Sequence, residues 1–128
     1  MKQPGPDHPI RIWQYVGRVR VVFAGWTVAD TTRTLALTEA RYPPVYYVPR
    51  EDADMALLQR TAHASHCPYK GDASYFSISV DGRTAENAVW SYEAPFPAVA
   101  TIKDHLAFYP DRVDKIEVAR VLSAPAGP

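Results

Sequence analysis

Apolar and polar residues alternate over short stretches of this chain, and almost nowhere do they follow a sustained helical period. Residues 18–24 alternate and then turn wholly apolar, which predicts a strand. Gly25 interrupts it and residues 26–31 resume, so the two segments form a hairpin. Residues 34–39 alternate again, a third strand. Tyr42-Pro43-Pro44 is a turn, followed by a short aromatic and β-branched strand over residues 45–48. Residues 49–59 form the one helical segment. Asp52 or Asp54 lies early, at the positive helix end, and Met55, Leu57 and Leu58 would face the core. Residues 74–81 and 83–92 pair as strands across Asp81-Gly82, a strong type I′ turn signal. Ala94-Pro95-Phe96-Pro97 is a loop with one helical turn after it. Residues 103–109 read as a strand, Pro110-Asp111 as a turn and residues 116–122 as a last strand. The small, proline-rich end, 123–128, is expected to be disordered. The pattern describes one mainly β domain over residues 1–122, of antiparallel strands with one or two short helices.

Composition narrows the class. A chain of 128 residues is long enough for one hydrophobic core. Its 12 prolines argue against long helices. Fourteen acidic and 14 basic residues cancel, so no footprint for nucleic acid or an anionic membrane is present. No apolar run approaches the roughly 18 residues of a membrane span. The start, Met1-Lys2-Gln3-Pro4-Gly5-Pro6, lacks the apolar stretch of a secretory signal. A single cysteine excludes an internal disulfide. These features favour a cytoplasmic protein.

The densest chemistry lies in His66-Cys67-Pro68-Tyr69-Lys70-Gly71. Cys67 is a nucleophile if a neighbour lowers its pKa, and otherwise a structural thiol. Neighbouring residues of an extended chain point to opposite faces, so His66 is poorly placed to serve Cys67, and Lys70 is better placed. Lys70 in a tight turn can point into a cleft and bind an anionic group or act as a general acid; alternatively it is a solvated turn residue. His63, His66 and Cys67 are too few for a zinc site without a second cysteine cluster, so no metal and no cofactor is expected. Period two puts Glu86, Ala88 and Trp90 on one strand face. Glu86 against Trp90 would be a carboxylate suited to acid–base work; on the outer face it is a surface charge. Asn87 would be a hydrogen-bond anchor for a ligand or for buried backbone. Tyr69 and Tyr75 can supply phenol donors, and Tyr47, Tyr75, Trp90 and Tyr92 suit pocket walls.

Several motifs stand together in order: Pro4-Gly5-Pro6-Asp7-His8-Pro9-Ile10, Tyr42-Pro43-Pro44-Val45, Cys67-Pro68-Tyr69-Lys70-Gly71, Asn87-Ala88-Val89-Trp90 and Ala107-Phe108-Tyr109-Pro110-Asp111-Arg112-Val113. In these the chain resembles the "domain of unknown function 427" family over about residues 4–117. The resemblance implies a tent-like arrangement of antiparallel sheets. Members of that family often carry Tyr at the position of His66 and Cys at that of Ala73. The family's occasional nucleotidyltransferase label finds no Gly-Ser with paired carboxylates here.

Three functions are compatible with these residues. The first is a cofactor-independent enzyme in which Lys70, with Glu86 or His66, moves protons on an apolar or aromatic metabolite, by cyclisation, isomerisation or elimination. The second is a binding module with the same pocket and no turnover. The third is a structural or interaction domain, monomeric or a homodimer.

Overall fold

Strand β7 (Gly71–Val80) is buried on both faces, and the remaining strands are arranged around that fact. In a computed structural model, which describes residues 1–120, it follows β1 (Ile10–Gln14), β2 (Gly17–Phe23), β3 (Trp26–Thr31), β4 (Leu35–Glu39), β5 (Val45–Tyr47) and β6 (Leu58–Cys67). After it come β8 (Arg83–Tyr92), β9 (Ala107–Phe108) and β10 (Lys115–Arg120). All pairs are antiparallel, in three sheets ordered β1-β4-β5, β10-β2-β3 and β6-β7-β8-β9. The mainly β, antiparallel fold is the one the alternation and the resemblance imply. The disorder expected over 123–128, and the final residues of the last strand, lie outside the described residues.

Alternation along β7 feeds two cores. Phe76, Ile78 and Val80 pack with Val19, Val21 and Val28 of the β2–β3 hairpin. Ala73 and Tyr75 face the other way, toward Leu37, Tyr47 and Ile102. Each fully buried aliphatic contributes about 1.5–3 kcal/mol of transfer free energy. The two hairpins that carry these faces close as their sequences require. Asp81 and Gly82 have φ of 48° and 81°, and Ala24 and Gly25 of 53° and 74°. Positive φ at both central residues matches the right-handed twist of the flanking strands.

The expected helix over residues 49–59 does not form. Two single 3₁₀ turns, Arg50–Asp52 and Met55–Leu57, take its place, and Leu58 already opens β6. The reason is tertiary. Asp54 N–H donates to Val28 C=O at 2.8 Å, and Ala53 bridges to Ala29 on β3. The middle of the segment is thereby drawn out as an extra edge on the hairpin. Met55 and Leu57 still pack on the core. The strand expected over 103–109 shrinks to β9, because Asp104 turns with φ of 63° and Leu106 bridges Val48 instead.

In β8 the period-two pattern breaks. Phe76 pairs with Val89 and Ile78 with Ala85, so Ser77 alone faces Glu86, Asn87 and Ala88. Asn87, with φ of 49°, sits at the centre of this bulge. Its N–H donates to Ser77 Oγ at 3.0 Å, its Oδ1 accepts from Thr61 Oγ at 2.6 Å and its C=O accepts from Arg112 at 2.8 Å. The bulge ties β6, β7, β8 and the turn after β9 together.

At the far end of β8, Glu93 clasps two elements. Arg60 of β6 donates to both its oxygens at 2.8 and 2.7 Å, and Arg50 donates at 2.9 Å. Both guanidinium groups lie over the Phe76 ring, 5.0 and 5.5 Å from its centroid. Arg60 above all, helped by Ser74 and Arg50, overcomes the effect of burial and holds the Glu93 carboxyl down at about 2. A lowered folded pKa means stability that is present above the unfolded value of about 4.3 and is lost as pH falls through about 2. Glu93→Gln is therefore expected to cost about 1–2 kcal/mol at pH 7, less than the full shift implies because Arg60 is half in solvent. Urea melts from pH 7 to pH 2 should show the difference from wild type shrinking steadily toward the acid end. A pH-independent difference would mean the clasp is not electrostatic.

Candidate functional site

The turn between β6 and β7 sets the site. Lys70 N–H donates to Cys67 C=O at 3.3 Å, and Lys70 C=O accepts from Phe96 N–H at 3.0 Å. Gly71 has φ of 110°, and a Cβ there would lie 3.4 Å from Ala94 O, so only glycine leaves the turn unstrained. With its backbone held on both sides, Lys70 turns inward and is only 8% exposed.

Its ammonium meets Glu39. Lys70 Nζ donates to Glu39 Oε1, and His8 Nε2 lies 2.8 Å from Glu39 Oε2. The His8 ring stacks on Tyr69 at 3.8 Å between centroids. Lys2 N–H donates to Pro68 C=O at 2.7 Å and fastens the start of the chain over the same turn. Burial pushes the Glu39 carboxyl up, but the hydrogen bonds from Lys70 and His8 outweigh it and leave the group below its usual range. Lys70 Nζ also lies 5.8 Å from the centre of the Tyr92 ring.

This pair opens on a cavity of about 440 Å³ between the β4–β5 and β7–β8 layers. Tyr47, Tyr75, Trp90, Tyr92 and Tyr109 form its aromatic wall, and Leu37 and Val45 add aliphatic surface. Tyr42, Pro43, Pro44 and Pro110 border it. Tyr75 Oη lies 2.8 Å from Ser65 Oγ and 3.3 Å from Tyr109 Oη, and Trp90 Nε1 donates to Tyr47 Oη at 3.4 Å. Burial pushes the Tyr47 and Tyr92 phenols far above their usual range, and burial with the Tyr75 bond pushes Tyr109 up to about 12. All three stay neutral at physiological pH, and the Tyr47 and Tyr109 hydroxyls take part in hydrogen bonds.

Of the residues singled out from the sequence, Lys70, Tyr47, Tyr75, Trp90 and Tyr92 meet at this cavity. Five do not line it. Cys67 is partly buried and packs on the second core. His66 lies on the outer face, its Nδ1 2.6 Å from Asp72 Oδ1. Glu86 is exposed at the bulge, because the inserted residues cancel the period that would set it beside Trp90. Asn87 lies at the bulge, where its Oδ1 accepts from Thr61 Oγ and its own N–H donates to Ser77 Oγ. Tyr69 stands behind the cavity as the support of His8. Sequence reasoning missed Glu39, His8 and Tyr109 as site residues. Glu39 had a signal: it shares the inward parity of Leu35 and Leu37 on an alternating strand, where a carboxylate needs a partner.

Among the described residues no group of three His, Cys, Asp or Glu is placed to hold a metal ion, and no helix is long and apolar enough to cross a membrane. The aromatic wall, the Lys70 turn and the prolines of the border all fall within residues 11–119, the span matched by the sequence profile of the family described as "Domain of unknown function (DUF427)". The chain belongs to this family. No curated protein matches it. Every cavity-lining residue of this DUF427 domain lies inside the family match, whereas His8 precedes it.

Removing one partner of the buried pair strands the other charge. Lys70→Met is expected to destabilise the domain by about 2–4 kcal/mol, and Lys70→Met with Glu39→Leu to recover to within about 1 kcal/mol of wild type. A double-mutant cycle in urea checks this, and additive losses would show that the two groups do not interact.

Proposed function

We propose that this domain binds an apolar or aromatic small molecule in the Lys70 cavity and acts on it as a cofactor-independent acid–base enzyme. One observation carries the reading: the buried Lys70–Glu39 pair opens on an aromatic-walled cavity of about 440 Å³. A buried ion pair seldom stabilises a fold better than well-packed apolar side chains would, so a pair facing a void suggests use. Glu39 takes the acid–base role that the sequence suggested for Glu86 or His66. In the simplest such reaction Glu39 accepts a proton from the carbon beside a substrate carbonyl. The C–H electrons form a C=C bond, the carbonyl electrons move to oxygen, and Lys70 stabilises that oxygen by hydrogen bonding. Where the substrate is a β,γ-unsaturated carbonyl compound, the electrons spread to its γ-carbon, and return of the proton there completes an isomerisation.

A second reading, a binding module without turnover, draws on the state of Glu39. Two donors and a lowered pKa make it a weak base.

Exchange of α-protons into D2O, followed by NMR on ketones that raise the melting point of the wild type, tests the first reading against the second. Wild-type exchange above background, reduced about 100-fold or more by Glu39→Gln, is expected of a catalytic base. Binding without exchange would leave the binding module. Absence of any stabilising compound would remove both.

A further inference from the structure

A second, smaller void lies beside the Lys70 cavity. It measures about 80 Å³ and is lined by Val19 and Val21 of β2, Val48, Phe108 and Ile116. Pro44, Val45, Trp90 and Pro110 line both voids, so the two adjoin at these side chains. No charged residue lines the smaller one. Val19 and Val21 are each 1% exposed, so the floor of this void belongs to the main core, while Pro44 and Pro110 are exposed at its rim. An apolar cavity of about 150 Å³ accommodates a benzene ring, so this void has room for an apolar arm of roughly three heavy atoms.

The charges of the larger cavity limit the other end of the ligand. Lys70 has three N–H donors, and among the described residues Glu39 is the acceptor of one. With the His8 ring on its other oxygen in the neutral form, Glu39 balances that charge. An anionic ligand would meet the Glu39 carboxylate, and a cationic one the Lys70 ammonium. A neutral acceptor such as a carbonyl oxygen meets neither penalty and can take a remaining ammonium N–H.

We infer that the ligand is a neutral carbonyl compound, with its oxygen at Lys70 and an apolar arm in the valine-lined lobe beyond Trp90. The inference rests on the reading of the Lys70 cavity as a ligand site, and deepens it. Trp90 and Val45 form the threshold between the two lobes. Polar lobe and apolar lobe together select length and hydrophobicity as well as the carbonyl group.

Calorimetric titration of the full chain with acetophenone, valerophenone and phenylvalerate tests it. Each buried methylene adds about fourfold in affinity, so valerophenone should bind at least about tenfold more tightly than acetophenone. Ile116→Trp fills the apolar lobe from β10, outside the Lys70 cavity. It should bring the two ketones within about twofold while acetophenone binds as before. If that variant melts early, Ile116→Phe makes the same comparison with less bulk. Equal affinities of the two ketones for the wild type, with acetophenone bound, would overturn the two-lobed ligand and leave the Lys70 site standing. Phenylvalerate bound as tightly as valerophenone would overturn the neutral ligand. No binding of any of the three would overturn this inference together with the function it rests on.

Discussion

Burial of both faces of β7 is the constraint from which the rest of the architecture follows. A strand covered on one side needs one partner layer, and this one needs two. The β2–β3 hairpin, with β10 on its edge, covers the face of Phe76, Ile78 and Val80. The β1-β4-β5 sheet covers the face of Ala73 and Tyr75. The first contact is packed with small branched side chains. The second includes four tyrosines and a tryptophan, whose rigid rings meet at angles from nearly parallel, 11° for Tyr75 and Tyr109, to edge-on, 88° for Tyr47 and Trp90. Large planar groups at such varied angles leave space between them, and the cavity lies in that layer.

Two carboxylates show how the same chemistry serves different ends. Glu93 and Glu39 each accept from two basic side chains, and each is held below its usual pKa. Glu93 binds planar guanidinium groups that are themselves stacked on Phe76, so every partner is fixed by a second contact. It acts as a rivet between β6, β8 and the turn after β5. Glu39 binds the point charge of Lys70 and an imidazole, beside empty volume. Lysine keeps two further donors that arginine in a bidentate clasp would not direct into the cavity. The difference between a fastening and a site lies in the space beside the pair.

Legibility followed local determinants. The Asp81-Gly82 and Gly25 turns and the strands beside them were readable, because turn conformation and alternation depend on neighbours in sequence, whereas for Lys70 an inward and a solvated position both stood open. Strand β6 was unreadable. It is an edge strand with most of its residues in solvent, so nothing imposes alternation on Gln59, Arg60, Ala62 or His63. The segment 49–59 misled for a related reason. Its apolar residues do reach the core, but its backbone bonds go to β3, a partner distant in sequence. Glu86 and Asn87 misled because a bulge has no reliable local signature, and one insertion exchanges which residues face inward.

Sequence by itself determined the antiparallel β class, the hairpins and the family, since these depend on short-range pattern and on motifs that sit intact in the chain. It also pointed to the turn at Cys67-Pro68-Tyr69-Lys70-Gly71 and to four of the aromatic residues that stand around the cavity. Only the tertiary structure decided what Lys70 faces. Glu39 is 31 residues away from it, and so is His8 from Glu39, and no local rule relates such positions. The ion pair exists because two sheets meet there. The void exists because the rings between them do not fill the layer.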